Sequence, residues 1–298
     1  MDTASLARLL LLAAIWGASF LFMRVAAPVM GPVPLIFMRV GLAALFLLAV
    51  AARLRRPLEV ARHGRHYLVL GLLNSALPFL LFAFAARTVS ASLLSVLNAT
   101  APIWAALIGA LWTRQGLAPR QAGGMLLGLA GVTLLAGVEA LVLPRGGWLA
   151  VLAGLGAAFS YGLATNYAKR AAPVEPMANA HGSMWAATLW LLPFMAVVPV
   201  PAGTWTPWLA SSVILLGVLC SGVAYLLYFR LIADLGAARA LTVTYLIPLF
   251  GILWGNLFLG ETMGWHTVMG CVAVLTGTAL VTGFSLGSVF PRRVGHGA

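Results

Sequence analysis

Charge in this chain is almost confined to the gaps between apolar stretches about as long as a bilayer is thick. A hydrocarbon core about 30 Å deep takes about 20 helical residues to cross. On that ruler the sequence holds ten spans: 6–27, 34–52, 67–87, 93–112, 121–141, 148–168, 178–198, 208–230, 238–259 and 265–285. Hydrophobic residues make up 62% of the 298 and charged residues only 8%, against about a quarter charged in a soluble domain, so most of the chain has no polar face for water. Lipid offers the backbone no hydrogen-bond partner, so the spans must be helices that satisfy themselves. The expected class is an all-α integral membrane protein. The N-terminal MDTASLARLLLLAAIWGASF has the outline of a signal peptide, but a later segment repeats it, and it is read as a retained first span.

The net charge of +12 would point to nucleic acid in a soluble chain; here 17 of the 18 basic residues are arginine, and they cluster between spans. Such residues collect in cytoplasmic loops. With the N-terminus inside, 14 of the 18 fall on that side: Arg8, Arg53, Arg55, Arg56, Arg62, Arg65, Arg114, Arg120, Lys169, Arg170, Arg230, Arg239, Arg292 and Arg293. Both termini are therefore placed in the cytoplasm, and the protein in the inner (plasma) membrane. Cys220 and Cys271 lie inside apolar runs and read as small buried hydrophobes. No CxxC, HExxH or P-loop occurs, so neither a metal nor a cofactor is expected. Nor is a nucleic-acid partner.

Residue n matches residue n+146 without a gap from Gly71/Gly217 to Gly137/Gly283. The matches include Ser75/Ser221, Pro102/Pro248, Gly109/Gly255, Gly124/Gly270 and Gly131/Gly277. An offset of 145 lays WGASFLFMRVAAP (Trp16 to Pro28) on YGLATNYAKRAAP (Tyr161 to Pro173). The identities fall on glycine and proline, which constrain backbone. Residues 1–143 and 144–298 are therefore read as two units of five spans. Five is odd, so the copies cross in opposite senses, an inverted repeat around a central cavity that suits alternating access to a solute.

The WGASF of the first span, Arg39 early in the second, the proline-centred fourth and ninth spans and the FLGE closing the ninth (Phe258 to Glu261) resemble the EamA branch of the drug/metabolite transporter superfamily. The resemblance covers nearly the whole chain. It implies a ten-helix transporter, commonly an exporter of amino acids and other small metabolites, with bacterial export of aromatic amino acids the most similar case. Gln115 stands where the repeat of Glu261 would fall, so whatever that acid does is in question for the first half.

The polar residues inside spans mark where a solute would be held. Pro102 frees a carbonyl near Asn98, and Pro248 that of Thr244; the freed groups must be met by protein or by a water-filled cavity. Asn98 and Thr100, with Thr242 and Tyr245, are candidates for that wall, and the two prolines for hinges. They also fit simple proline kinks healed by hydroxyls. NSALPFLLF (Asn74 to Phe82) and CSGVAYLLY (Cys220 to Tyr228) align in the third and eighth spans. They put Asn74, Ser75, Phe79 and Phe82, and Ser221, Tyr225 and Tyr228, on one helical face each. Trp16, Ser19 and Phe20 in the first span and Tyr161, Thr165 and Asn166 in the sixth extend this aromatic and hydroxyl character, which suits an amphiphilic solute of amino-acid size. Any single aromatic reads equally well as a lipid-facing anchor.

Arg39 lies inside a span, where charge is costly; it meets a substrate carboxylate, pairs with Glu261, or snorkels to the surface. His181 is the one intramembrane group that titrates near neutrality, and reads first as an interfacial histidine. Small-xxx-small pairs such as Gly124/Gly128 read as helix packing, which also permits a homodimer through the fifth and tenth spans. The expected function is export of small amphiphilic metabolites, foremost neutral or aromatic amino acids, by a secondary transporter that is not an enzyme. A drug or hydrophobic-cation exporter is the alternative within that class, though it would want a carboxylate in the cavity. An intramembrane lipid-processing enzyme would need a converging catalytic set, and a channel a ring of charge or carbonyls. The expected partners are the substrate and membrane lipid.

Overall fold

The computed structural model describes residues 3–140, 147–198 and 205–283. The 143/144 unit boundary and Asp2, Arg145, Arg292 and Arg293 lie outside the described residues. Among those described there are helices and no strands. In chain order the long helices are α1 (Thr3–Met30), α2 (Pro32–Arg53), α3 (Val60–Ala85), α4 (Ala91–Thr113) and α5 (Pro119–Ala140). They continue as α6 (Trp148–Ala168), α7 (Pro176–Met195), α8 (Pro207–Leu235), α9 (Val243–Leu259) and α10 (Trp265–Thr282). Seven of them, α1 to α4, α6, α8 and α10, are long and apolar enough to cross a membrane, and α9 is a shorter apolar helix. The protein is a multi-pass, all-helical membrane protein.

Helix ends follow local chemistry. Pro32, Pro176 and Pro207 open α2, α7 and α8, where a missing N–H costs nothing. Gly31 (φ +77°) is the single residue between α1 and α2, a turn that only glycine makes without strain. α3 begins at Val60 rather than near 67, because the polar VARHGRH extends the helix beyond the apolar run.

Helix pairs recur between the halves when each helix is exchanged for the one five places along. α1 packs on α9, and α6 on α4; α2 packs on α8, and α7 on α3; α5 packs on α10. The closest approaches are at glycines. A Cβ on Gly17 would stand 2.7 Å from Phe250 Cβ and 2.9 Å from Gly251 N, and one on Gly162 would stand 2.9 Å from Ala105 N and 3.0 Å from the Trp104 carbonyl carbon. Gly71 meets Ala186 and Ala187 of α7 as Gly217 meets Leu42 of α2. Between α5 and α10 the contact is reciprocal: Gly124 faces Gly277, and Gly131 faces Gly270. As numbers rise on one helix they fall on the other, so α5 and α10 run antiparallel. Leu97 on Gly154, Ala105 on Gly162 and Gly109 on Asn166 rise together, so α4 and α6 run parallel.

These contacts occupy the small-residue faces that would have served a homodimer. Gly124 and Gly131 are covered by α10, and Gly128 by Ile103 of α4. A dimer through α5 and α10 would have to use their outer faces, where Leu126, Leu129, Val268, Met269 and Val272 are exposed.

Regular α geometry is interrupted in or beside four helices, at related positions in α3 and α8. α3 widens to a π-helix over Gly71–Ala76, and α8 does so over Leu215–Val223, the same stretch of the 146-residue repeat. The carbonyls released are taken by side chains: Ser160 Oγ donates to Leu73 O at 2.7 Å and Ser221 Oγ to Leu216 O at 3.1 Å. α4 breaks at Ala99–Thr100, between Ala91–Asn98 and Ala101–Thr113. α9 is preceded by a separate turn of helix, Ala237–Ala240.

Gly123 and Gly124 give a paired test of this packing. A Cβ on Gly124 would sit 2.6 Å from Gly277 O, whereas one on Gly123 meets nothing within 4 Å. Gly124→Ala is expected to destabilise the bundle by about 1–3 kcal/mol, and Gly123→Ala to leave it unchanged or raise stability by up to about 1 kcal/mol. Thermal unfolding of the two purified variants in detergent checks the order.

Candidate functional site

Arg39 is held by packing on every side. It projects from α2 and is 4% exposed. Its Nε donates to Ser221 Oγ at 2.9 Å, its Nη1 lies 3.6 Å from Met23 Sδ, and its guanidinium carbon stands 3.6 Å from the centre of the Phe79 ring. A buried cation in lipid needs its charge spread over dipoles and π-faces, and this chain uses a hydroxyl, a thioether and a phenyl ring from α8, α1 and α3. Of the five N–H donors of a guanidinium, Ser221 and Met23 take two. Glu261 is not its partner, and Arg39 does not snorkel to the surface, which removes two of its three expected roles.

Around Arg39 stands an aromatic shell drawn from both halves. Phe20 meets Phe82 edge-on at 5.5 Å, and Phe82 lies 6.2 Å from Tyr161. Trp16 meets Tyr228 at 5.4 Å, and Phe229 joins Tyr228 to Tyr225 at 6.3 and 6.0 Å. Asn74 Nδ2 donates to the Tyr225 hydroxyl at 3.3 Å, and Ser75 Oγ is buried beside it. Trp16, Asn74, Tyr161, Tyr225 and Tyr228 are half-buried, while Ser19, Phe20, Ser75, Phe79 and Phe82 are buried. The π-helices explain why these residues converge. A π turn rotates the side chains that follow it relative to those before it, and the turns in α3 and α8 carry Asn74, Ser75 and Ser221 themselves. Met23 and Phe229 were missed in the sequence, where a lone methionine or phenylalanine within an apolar run carries no distinguishing signal.

The remaining candidates lie elsewhere and are engaged with backbone. Thr100 Oγ1 donates to Leu97 O at 2.6 Å, and Thr278 Oγ1 of α10 to Ala99 O at 3.0 Å, so the break before Pro102 is healed by hydroxyls. Thr242 Oγ1 donates to Arg239 O at 2.7 Å, and Thr165 is exposed and donates to Tyr161 O at 2.8 Å. Tyr245 bonds Thr282. Asn98 is half-buried beside the break. Pro248 is buried inside α9, and Pro102 sits in the first turn of the segment after the break. Asn166 Nδ2 ties α6 to α4 through Ala105 O at 2.8 Å. His181 is buried, and its Nε2 accepts from Trp185 Nε1 at 2.8 Å. Trp205, Trp208 and Trp265 are exposed.

Glu261 does something the sequence did not reveal. Gly260 (φ +65°) ends α9 in the left-handed region, and Glu261 N bonds back to Gly255 O at 3.1 Å. The carboxylate is thereby aimed at the first turn of α4. Oε1 accepts from Ala91 N at 2.7 Å, and Oε2 from Ser92 N at 3.0 Å and Ser92 Oγ at 2.6 Å. Ser90 Oγ takes the next donor, Leu93 N, at 2.9 Å. An anion at a helix N-terminus meets both open donors and the helix dipole, so α9 is pinned to α4. In the first half Arg114 (φ +55°) holds the position of Gly260, and Gln115 is exposed.

Residues 4–137 and 148–283 each match the EamA-like transporter family. The chain belongs to that family. A transporter of Bacillus subtilis named YvbV is 26% identical over 278 residues, spanning 89% of this chain and 87% of its own. The chloroplastic WAT1-related protein At3g02690 of Arabidopsis thaliana is 27% identical over 282 residues, 89% of this chain and 66% of its own. A solved crystal structure superposes with a TM-score of 0.62 at 18% identity, covering 95% of this chain and 97% of the other, which establishes the shared fold. A small-molecule transporter of the EamA-like family thus gains the aromatic, arginine-centred cluster as its candidate binding region.

Glu261→Ala removes three hydrogen bonds to one carboxylate and is expected to cost about 1–3 kcal/mol. Glu261→Gln, which keeps an acceptor, should lose less. Thermal unfolding of both variants in detergent measures the difference.

Proposed function

We propose that this EamA-like transporter is a secondary exporter of small amphiphilic metabolites, foremost neutral and aromatic amino acids, working by alternating access. The observation that carries the reading is the Arg39 cluster: one fixed cation with spare donors, among aromatic rings and hydroxyls contributed by both halves. The guanidinium matches a carboxylate in geometry, Phe20, Phe82, Tyr161 and Trp16 suit an apolar or aromatic side chain, and Asn74 and the tyrosine hydroxyls suit an ammonium group. Among the described residues no carboxylate lies in this cluster, and a fixed positive charge repels lipophilic cations, which favours zwitterions over them.

Alternating access requires two halves that trade places. The double family match, the exchange of helix pairs between halves and the antiparallel run of the equivalent helices α5 and α10 support an inverted repeat of ten spans. The basic residues support cytoplasmic termini in a plasma membrane. The unequal holding of α4 and α9, capped by Glu261 at one end and free at Gln115 at the other, supports a conformation in which the two ends of the pathway differ.

Proteoliposomes containing the purified chain are expected to take up labelled phenylalanine, tyrosine or a neutral aliphatic amino acid in a saturable manner. Arg39→Lys keeps the charge but loses the fork and its stacking on Phe79, and is expected to lower the rate at least tenfold, about 1.4 kcal/mol, with unchanged insertion and melting. Movement of lipophilic cations with no amino acid flux would overturn the assignment.

A further inference from the structure

A second concentration of positive charge lies outside the Arg39 cluster. The start of α3 and the end of α6 enclose a cavity of about 310 Å³, lined by Arg62, His63, Arg65, His66, Tyr167 and Arg170. Three guanidinium groups and two imidazoles thus converge from two helices. The walls are built rather than adventitious. His66 Nε2 lies 3.1 Å from Asn179 Oδ1 of α7, and its ring stacks on Tyr167 at 5.5 Å, which fixes the imidazole edge in the cavity wall. Arg170 is laid over the Trp112 ring of α4 at 4.4 Å.

The acids nearby are committed elsewhere. Glu175 caps α7 by accepting from Ala178 N at 2.8 Å. Glu59 stands 3.7 Å from Arg62 and 3.5 Å from His63, both long contacts at an exposed carboxylate. Arg65 and Arg170 form none of the described ion pairs, so the cavity keeps a net positive charge.

We infer that this cavity binds the phosphate headgroup of an acidic membrane phospholipid. Phosphate is the anion that several guanidinium groups and imidazoles hold best, and basic pockets between spans at the membrane surface are suited to such headgroups. The lipid, rather than a dissolved phosphate, is indicated by what borders the cavity. Trp112 beneath Arg170 and its chain neighbour Leu111 are exposed on α4, and Leu68, two residues beyond His66 in α3, is exposed together with Trp190, whose Nε1 donates to Leu68 O at 3.0 Å. These outward apolar side chains next to the charge can take acyl chains, which a soluble anion would leave uncovered. The site would bridge α3 to α6, one helix from each half, so its occupancy bears on how the halves sit together.

Native mass spectrometry of the full chain, purified in detergent and given phosphatidylglycerol or phosphatidylcholine, tests the inference. The wild-type chain is expected to retain phosphatidylglycerol in preference. An Arg65→Gln/Arg170→Gln double variant should lose about fivefold of that preference per arginine removed, while Arg65→Lys/Arg170→Lys keeps most of it. Arg87→Gln, which lines a separate cavity with Pro28, Phe84 and Thr88, should behave as wild type. Equal retention of both lipids by the wild type, or an unchanged preference in the Gln double variant with an unchanged melting temperature, would overturn the site. Displacement of phosphatidylglycerol by millimolar inorganic phosphate would overturn the lipid as its occupant. None of these readouts depends on amino acid transport.

Discussion

Within lipid, a backbone carbonyl that leaves the helical ladder has no water to turn to, and the irregular features of this fold are arranged around that constraint. Each departure from α geometry is matched by a hydroxyl from the same or a neighbouring helix: Ser160 for Leu73, Ser221 for Leu216, Thr100 for Leu97 and Thr278 for Ala99. Cys220 adds a weaker contact from its thiol to Ile15 O at 3.2 Å. An unmet carbonyl costs several kcal/mol in hydrocarbon, so these serines and threonines are what permit bent helices at all. The bends in turn bring Asn74, Ser75 and Ser221 to the same region as Arg39.

The second constraint is distance. Hydrophobic burial gives little preference for one helix pairing over another inside a bilayer, and close packing must decide. Gly17 on Phe250 and Gly162 on Trp104, Gly71 on α7 and Gly217 on α2, and the reciprocal glycines of α5 and α10 each let backbones meet where a single methyl group would collide. The pairs match across the halves because the repeat preserved glycine at those positions while the surrounding apolar residues drifted. Sequence identity between the halves is low, yet it resides where substitution is least tolerated.

Much of this was legible in the sequence, for definite reasons. The all-helical membrane class, the long apolar helices and the burial of Phe20, Phe79 and Phe82 follow from hydropathy and helical spacing. What escaped notice depended on geometry that no local pattern encodes. A π turn has no distinctive composition, so the rotation that brings Ser221 under Arg39 was invisible. The proline segments drew attention because proline is conspicuous, but Thr100 and Thr242 turn to their own backbone, and Thr165 faces outward. Glu261 was set against Arg39 because both were charged and assigned to one side; its true target is an uncharged one, the open N–H groups of α4.

At equivalent positions the two halves carry different charges, so their helices are not held alike. A perfect repeat would hold the α4 and α9 crossings equally at both ends. Here the left-handed turn at Gly260 delivers a carboxylate to Ala91 and Ser92, whereas Arg114 and Gln115 at the equivalent turn deliver none. Asp234, gripped by Arg8 at 2.7 Å and Arg230 at 3.1 Å, supplies a tie between α1 and α8, and its repeat position is Thr88, which has no charge to offer. The three hydrogen bonds to the Glu261 carboxylate are together worth about 1–3 kcal/mol. The Asp234 pairs are partly exposed and worth up to about 1 kcal/mol, so the Glu261 cap carries more of the difference between the halves.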